Sequence, residues 1–204
     1  MTDSLKHWDK VYNNKVHSQL SWHQDESTIS LSWITDYANK TDHIIDIGSG
    51  ISILADNLID NGYQYLSLLE ISPTAIKVTK DRLGNKAKNV TFYNKNVLDF
   101  SPDKMYTLWH DRAVFHFLTD TNEQQIYIDK LNKYISPRGY FILATFSKTG
   151  PSECSDLKII QYDEETISRM LSDNFILINS TSENHPRPNG ETQSFNYFCF
   201  QKKQ

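Results

Sequence analysis

The spacing of apolar residues is helical near the N-terminus and changes further along the chain. Residues 4 to 14 and 27 to 38 each repeat apolar side chains every three or four positions, a period that predicts two amphipathic helices. The loop between them contains Ser21-Trp22-His23-Gln24. Because both helices precede the first predicted strand, we expect residues 1 to 40 to form a helical N-terminal extension and residues 41 to 204 to form the main domain.

Short apolar runs follow this extension and predict seven β-strands. Helical segments separate most of these runs, an alternation typical of an α/β protein whose mostly parallel sheet is covered on both faces. The last two runs have no helix between them, so we expect them to pair as an antiparallel hairpin. In chain order the predicted strands are His43 to Ile47, Tyr65 to Leu69, Val90 to Tyr93, Met105 to Trp109, Tyr140 to Phe146, Phe175 to Ile178 and Phe195 to Phe200.

Capping chemistry defines the helix before the fifth strand. Asp120 with Glu123 three residues later forms a capping box, which predicts a helix that continues to about Ile135. Ser136-Pro137-Arg138-Gly139 is expected to end this helix.

Composition narrows the class of protein. A length of 204 residues with 38% hydrophobic and 12% aromatic residues suits one globular domain. A net charge of −4 and the lack of a long run of Lys and Arg disfavour a nucleic-acid partner. Cys154 and Cys199 stand far apart without disulfide or metal-ligand spacing, so we expect a reduced, cytoplasmic protein without a metal site. The polar N-terminus and the short apolar runs indicate neither a signal peptide nor a membrane span.

The strongest chemical signal is the turn after the first strand, Asp46-Ile47-Gly48-Ser49-Gly50. Two glycines one residue apart let the backbone turn sharply and let a ligand approach without meeting a Cβ, and the start of the next helix presents unpaired amides. Ligands of parallel sheets bind at the carboxyl ends of the strands, where an acid after the second strand, here Glu70, can accept hydrogen bonds from both hydroxyls of a ribose. The sequence therefore predicts a ligand that contains a nucleoside.

The glycine spacing separates two classes of nucleoside ligand. A dinucleotide fingerprint has a third glycine, but Ile53 stands three positions after Gly50. Asp46, two residues before Gly48, suits an ammonium group better than a pyrophosphate. At these residues the sequence resembles the class I S-adenosylmethionine-dependent methyltransferases, whose first motif is an acid-x-Gly-x-Gly turn and whose second strand ends in an acid. The resemblance covers about residues 40 to 200.

The resemblance implies a three-layer Rossmann-like sandwich with strand order 3-2-1-4-5-7-6, in which strand 7 is antiparallel. It also implies that S-adenosylmethionine is the cofactor, with its methionine part against the glycine turn and its ribose held by Glu70. Asn96 and Val97 are expected at the adenine, with Asp99 as the competing candidate. The implied cofactor-binding residues are Tyr12, Trp22, Asp46, Gly48, Ser49, Gly50, Glu70, Ile71, Asn96, Val97 and His110.

The fourth strand ends in Trp109-His110-Asp111-Arg112-Ala113-Val114-Phe115-His116-Phe117-Leu118, which resembles a signature of bacterial methyltransferases of this class that lack a settled substrate. By this resemblance, His110 lies beside the methionine part of the cofactor. Asp111, Arg112 and His116 are expected to meet the methyl acceptor or to hold one another in place. Two structural alternatives stay open: Asp111 and Arg112 form an ion pair that only fixes the loop, and His116 is a packed histidine. The expected catalytic residues are therefore His110, Asp111, Arg112 and His116.

Aromatic residues of the extension are candidates for a cover over the site. Trp8 and Tyr12 lie four positions apart on one helical face and belong either to the core or to the cover, whereas Trp22 and Gln24 lie in a loop. The resemblance implies that such aromatic residues close over the cofactor. An aromatic face attracts a sulfonium cation, and closure removes water from the transfer.

Two more loops are expected near the acceptor, at residues 146 to 151 and 185 to 190. Their cations, Lys148 and Arg187, are the candidates to meet an anionic acceptor, with solvated surface charges as the alternative.

Together, these features predict an S-adenosylmethionine-dependent methyltransferase that moves a methyl group to an oxygen, nitrogen or sulfur atom of a small molecule, leaving S-adenosylhomocysteine. The alternatives are a lysine methyltransferase of the same fold that acts on protein and a non-catalytic cofactor-binding protein. The missing third glycine counts against an NAD-dependent oxidoreductase.

Overall fold

Six α-helices and nine strands make up the described part of the chain, residues 3–15, 17–24 and 28–204 of a computed structural model. None of these helices combines the length and the apolar composition that crossing a membrane requires. The helices are α1 (Asp3–Asn14), α2 (Thr28–Tyr37), α3 (Leu54–Asp60), α4 (Pro73–Leu83), α5 (Thr121–Tyr134) and α6 (Glu164–Leu171). The strands are β1 (His43–Ile47), β2 (Tyr65–Glu70), β3 (Val90–Asn94), β4 (Tyr106–Arg112), β5 (Ile135–Phe146), β6 (Glu153–Cys154), β7 (Leu157–Lys158), β8 (Phe175–Pro186) and β9 (Thr192–Lys202).

Seven strands form one sheet with the order β3-β2-β1-β4-β5-β9-β8. β1 pairs in parallel with β2 and β4, as do β2 with β3 and β4 with β5, whereas β9 is antiparallel to both β5 and β8. The two-residue strands β6 and β7 form a separate hairpin that the sequence did not predict. Counted without them, the order is the expected 3-2-1-4-5-7-6 with an antiparallel last strand, so the predicted Rossmann-like α/β fold is confirmed.

The fifth strand begins earlier than expected. α5 runs directly into β5, whose first residue, Ile135, already pairs with Tyr106 of β4. The pairing resumes at Tyr140 after an irregularity, so residues 136–139 form a bulge inside β5, with Arg138 at a φ of +62°. The helix therefore ends next to residues 136–139, as expected, but these residues lie inside β5, because the chain pairs with β4 before the bulge and again after it.

Hydrophobic residues cover the sheet on both faces. Neighbouring residues of β4 point to opposite sides: Trp109 joins the core shared with α5 and α6, and Leu108 joins the core shared with α2 and α3. α2 contributes Trp33 and Ile34 to the second core, whereas α1 contains no buried residue. The result is three layers, with α1 outside them.

A hydrogen-bonded aspartate holds α1 to the start of α4. The hydroxyl of Ser72 caps α4 by accepting from the backbone N–H of Ala75 at 3.2 Å. Asp9 Oδ1 accepts from the Ser72 hydroxyl at 2.7 Å and from the backbone N–H of Thr74 at 3.1 Å. This contact fixes α1 beside the N-terminal end of α4.

Candidate functional site

A cavity of about 420 Å³ opens at the carboxyl ends of β1, β2 and β4. Residues directly after these strands, α1 with the loop after it, and the β6–β7 hairpin all contribute to its wall. In parallel sheets this is the usual place for a ligand. The residues predicted to bind the cofactor all line it, namely Tyr12, Trp22, Asp46, Gly48, Ser49, Gly50, Glu70, Ile71, Asn96, Val97 and His110.

Each of the two glycines in the turn after β1 makes room for a different neighbouring side chain. Both have a left-handed backbone, with φ of +58° at Gly48 and +52° at Gly50. A Cβ on Gly48 would lie 2.1 Å from Cγ2 of Val114, and one on Gly50 would lie 2.5 Å from the hydroxyl of Tyr12. The bare backbone therefore lets two other parts of the cavity wall come close to the turn.

Glu70, at the end of β2, is a buried carboxylate bound to backbone amides. It accepts from the N–H of Gly50 at 2.9 Å and from the N–H of Ser72 at 2.7 Å. Burial raises the pKa of Glu70 to about 7, although these amides act to lower it. A carboxylate has about four lone-pair sites, so two hydrogen bonds leave it able to accept from a pair of neighbouring hydroxyls.

A second buried chain of hydrogen bonds crosses from β1 to α2. Asp46 Oδ1 lies 2.7 Å from His110 Nδ1, and His110 Nε2 lies 2.9 Å from the hydroxyl of Ser30. All three residues are buried and line the cavity. A neutral imidazole that donates from Nδ1 to the carboxylate accepts from Ser30 at Nε2, which is the arrangement that holds a histidine ready to take up a proton.

Asn96 and Val97 begin the short turn after β3. Asn96 Oδ1 accepts from the backbone N–H of Leu98 at 2.9 Å, so one side-chain oxygen is used inside the turn. Both residues line the cavity, whereas the competing candidate, Asp99, is exposed and lies outside its wall. Of the candidates for the adenine contact, Asn96 and Val97 therefore lie on the cavity wall and Asp99 does not.

Arg112, the last residue of β4, lies on the cavity wall. Its Nε donates to the hydroxyl of Tyr197 at 3.0 Å and its Nη1 to the carbonyl of Trp22 at 3.0 Å. The guanidinium carbon lies 4.6 Å from the ring centre of Phe195. These contacts join the loop after α1 to the end of the sheet, and Arg112 forms no ion pair with the adjacent Asp111, contrary to one of the structural alternatives.

Asp111 does not reach the cavity, so the catalytic role expected for it does not match its position. Its side chain is fully buried. The carboxylate accepts from the backbone N–H groups of Val114 and Phe115 at 2.9 and 3.1 Å and from the hydroxyl of Tyr127 at 2.5 Å. Burial raises the pKa of Asp111 to about 6 despite these bonds. Asp111 therefore fixes the turn that carries Val114.

His116 is likewise away from the cavity, and its position matches the packed histidine rather than the expected catalytic group. It is fully buried, and its ring centre lies 4.5 Å from that of Phe117 and 5.0 Å from that of Phe146. Neither ring nitrogen has a hydrogen-bond partner among the residues that the structure describes. Burial, with a smaller effect of Arg112, lowers the pKa of His116 to about 3, so the ring is neutral.

Four aromatic rings cover the cavity as a cluster. Trp8 lies 5.9 Å from Trp22 and 5.1 Å from Phe117, and Tyr12 lies 6.3 Å from Trp22, measured between ring centres. All four line the cavity and are partly buried. Trp8 and Tyr12 therefore belong to the cover of the site, with Gln24 beside them on the wall.

The two loops expected near the acceptor, residues 146 to 151 and 185 to 190, do not line the cavity. Lys148 is exposed, and Arg187 pairs with Glu191 at 2.6 Å. In the loop at 185 to 190, His185 Nε2 lies 3.2 Å from the carbonyl of Ser21, so this loop packs behind the N-terminal segment. The β6–β7 hairpin takes the place expected for residues 146 to 151, because Cys154, Leu157 and Lys158 line the wall.

Sequence reasoning missed several residues of the site. Ser30 contacts His110, and its only signal is a small polar residue inside an otherwise apolar helix face. Val114 and Phe117 lie within the quoted motif after β4, but apolar side chains there also suit the core. The two-residue strands of the β6–β7 hairpin are too short for any periodic pattern.

Metal and thiol chemistry have little support in this site. In the ranges that the structure describes, no three His, Cys, Asp or Glu side chains are grouped so that they could hold a metal ion. Cys154 and Cys199 are both buried and free. Burial raises the pKa of their thiols to about 11 and about 12, so both are protonated at neutral pH.

The chain is similar to known methyltransferases in sequence and in fold. An eEF1A lysine and N-terminal methyltransferase of Mus musculus is 22% identical over 138 residues, which cover 67% of this chain and 19% of the relative. Malonyl-[acyl-carrier protein] O-methyltransferase 1 of Ilyobacter polytropus is 26% identical over 112 residues, which cover 54% and 40%. The chain thus spans less than half the length of either curated relative.

A solved structure shows the same fold over almost the whole chain. The 1,6-didemethyltoxoflavin-N1-methyltransferase of Burkholderia thailandensis, solved with 1,6-didemethyltoxoflavin and S-adenosylhomocysteine bound, superposes with a TM-score of 0.73 at 15% identity, covering 98% of this chain and 88% of that one. A family model described as a methyltransferase domain matches residues 38–196, from before β1 into β9. Because this match covers most of the chain, the protein belongs to the methyltransferase domain family.

Proposed function

We propose that the protein is an S-adenosylmethionine-dependent methyltransferase that acts on a small-molecule acceptor. The observation that carries this proposal is the meeting of the glycine turn and the buried Glu70 in one cavity at the strand ends. The family match and the solved relative with S-adenosylhomocysteine support the choice of cofactor.

The residues present fit the cofactor. Glu70 retains lone pairs for the ribose hydroxyls, the turn of Gly48 and Gly50 offers bare backbone, and Asn96 and Val97 lie at the side expected for adenine. When bound, S-adenosylmethionine supplies a methyl group activated by its sulfonium. The aromatic cluster of Trp8, Tyr12, Trp22 and Phe117 suits a cation and excludes water, which favours an in-line displacement.

The Ser30–His110–Asp46 chain gives the site a route for a proton. We propose that an acceptor hydroxyl passes its proton to Ser30 Oγ while the Ser30 proton moves to His110 Nε2, 2.9 Å away. Asp46 then stabilises the charged imidazole through Nδ1. Asp111 and His116 take no part in this mechanism.

Thermal unfolding tests the cofactor. A ligand at 100 times its Kd stabilises the native state by about 2.7 kcal/mol. For a chain of this size such a stabilisation raises the Tm by about 5–10 °C. We expect this shift with S-adenosylmethionine and with S-adenosylhomocysteine but not with NAD. A shift with NAD alone contradicts the proposal. Glu70→Ala should abolish the shift, whereas Asp99→Ala, which removes an exposed acid outside the wall, should keep it.

A protein acceptor is the second candidate, because three of the similar sequences are eEF1A lysine methyltransferases. Methyl-tritiated S-adenosylmethionine, incubated with the protein and a cell extract, separates the two candidates. We expect label in the small-molecule fraction. Label only on polypeptide favours the second candidate instead.

A further inference from the structure

Arg112 has one guanidinium nitrogen that the fold leaves unused. Nε and Nη1 are committed to the Tyr197 hydroxyl and the Trp22 carbonyl. Nη2 is buried, yet it has no hydrogen-bond partner within the described ranges. A guanidinium stays charged at all relevant pH values, so a buried N–H group without a partner carries a desolvation cost that a bound acceptor would remove.

Glu183, which shares Tyr197 with Arg112, does not neutralise Arg112 directly. Glu183 accepts from the Tyr197 hydroxyl at 2.9 Å and from Gln24 Nε2 at 3.4 Å. In the described part of the chain, no carboxylate forms an ion pair with Arg112. The guanidinium is therefore held in one orientation by Tyr197, Trp22 and the ring of Phe195, with its charge not paired at contact distance.

None of the three acids of the cavity wall pairs with Arg112. Asp46 pairs with His110, and Glu70 accepts from backbone amides. The third acid of the wall, Glu123, belongs to the first turn of α5.

Several cations act on the wall near Arg112. Cys154 lies on this wall, and Arg112, Arg187 and Lys15 all act to lower the pKa of its thiol against the larger effect of burial. These cations therefore converge on the part of the cavity next to Arg112. Arg187 is itself paired with Glu191, and Lys95 and Lys158 are the other cations of the wall. Of the wall's cations, Arg112 is the one with a buried nitrogen that lacks a partner among the described residues.

We propose that the methyl acceptor carries a carboxylate, which Arg112 binds through Nη2. This inference rests on the proposed methyltransferase function and names the class of its acceptor. A carboxylate fits better than a phosphate monoester, because a phosphate carries a charge of about −1.5 to −2 at neutral pH, whereas Arg112 offers one positive charge and Tyr197, to which its Nε donates, also donates to the carboxylate of Glu183. Arg112 thus acts as a binding residue that selects the acceptor.

The first test sorts acceptors by charge. A small-molecule extract is divided on an anion-exchange resin at pH 8, and each fraction is incubated with the full chain and methyl-tritiated S-adenosylmethionine. We expect label in the retained fraction. Prior amidation of that fraction with a carbodiimide and an amine should abolish labelling, whereas alkaline phosphatase should leave it unchanged. Label in the unretained fraction that survives the same amidation, on polypeptide only, or lost after phosphatase overturns the inference.

The second test uses variants. Arg112→Gln should raise the KM for the retained fraction by about 10- to 100-fold, the loss expected for one charge-assisted hydrogen bond. The Kd for S-adenosylhomocysteine should rise less, by at most about 2- to 10-fold, because the variant also loses the hydrogen bond to the Trp22 carbonyl. Arg112→Lys keeps a charge and should recover part of the loss. Tyr197→Phe removes the hydroxyl that accepts from Arg112 Nε but leaves the charge of Arg112 in place. The KM of this variant for the retained fraction should therefore rise only a few-fold.

Failure of the inference and failure of the proposed function differ in outcome. An Arg112→Gln protein with unchanged KM, or one that loses the S-adenosylhomocysteine shift together with activity, overturns the role of Arg112 while methyl transfer stands. A wild-type protein that neither binds S-adenosylhomocysteine nor labels any fraction overturns the proposed function itself.

Discussion

At the scale of single residues, the protonation of Glu70 decides whether the site is ready for its ligand. Burial raises the pKa of this carboxyl to about 7, so near neutrality about half of the ligand-free molecules carry a protonated Glu70. Ribose hydroxyls donate to the ionised form, so ligand binding favours loss of the proton. The affinity is therefore expected to fall as the pH falls below 7 and to level off above it.

We expect the Kd for S-adenosylhomocysteine to be about tenfold higher at pH 6 than at pH 8, because the ionised fraction of Glu70 changes by about that factor. Isothermal titration calorimetry at pH 6, 7 and 8 measures this. The nearest other titratable pair is Asp46 with His110, so a variant must assign the effect. Glu70→Gln does not titrate and should bind with a weaker but nearly constant Kd. If Glu70→Gln keeps the slope of the wild type, the assignment to Glu70 is wrong.

At the scale of elements, α1 differs from the other described α-helices in how it is attached to the fold. It contains no buried residue, and the hydrogen bonds of Asp9 to Ser72 and Thr74 hold it to α4. Although burial acts to raise the pKa of Asp9, these hydrogen bonds and one from Asn13 lower it overall, so the carboxylate is ionised at neutral pH. α1 also carries Trp8 and Tyr12, so its position controls two of the four rings over the cavity.

Removal of the Asp9 side chain should loosen α1 without touching the ligand. We expect Asp9→Ala to speed amide hydrogen exchange in residues 3–14 and to raise the Kd for S-adenosylhomocysteine about 2- to 10-fold, the effect of losing one or two net hydrogen bonds. Hydrogen exchange with mass spectrometry and calorimetry give the two values. Asp3→Ala, on an exposed position of the same helix, is the matched control and should change neither. If amide exchange in residues 3–14 is unchanged in Asp9→Ala, then Asp9 does not hold α1 to α4.

At the scale of the whole molecule, the sheet was predictable because its strands are continuous apolar runs and its order follows the family resemblance. The cavity wall was predictable for a related reason, since Gly48, Gly50 and Glu70 stand directly at strand ends. The bulge at residues 136–139 was not predictable, because it depends on how the chain pairs with β4. The positions of Asp111 and His116 were not predictable either, because one sequence does not tell a side chain that points into the cavity from one that points behind it.

The N-terminal boundary of the domain also depends on packing across the chain. The sequence places both early helices in one extension, residues 1 to 40, but α2 and α1 differ in the structure. Trp33 and Ile34 of α2 are buried in the core with Leu108 of β4, whereas α1 lies outside the layers. We infer that the cover consists of α1 and the loop after it, and that α2 belongs to the domain.

Two shortened chains test this division. A chain without residues 1–15 should unfold cooperatively in urea with a midpoint near that of the full chain, because none of the described residues 3–15 is buried, but it should lose most of its affinity for S-adenosylhomocysteine. A chain without residues 1–40 also loses Trp33 and Ile34, each worth about 1.5–3 kcal/mol of burial. That loss is a large part of the roughly 5–15 kcal/mol by which domains are stable, so its urea midpoint should fall sharply or its cooperative transition disappear. Equal midpoints for the two shortened chains would instead place α2 in the extension with α1.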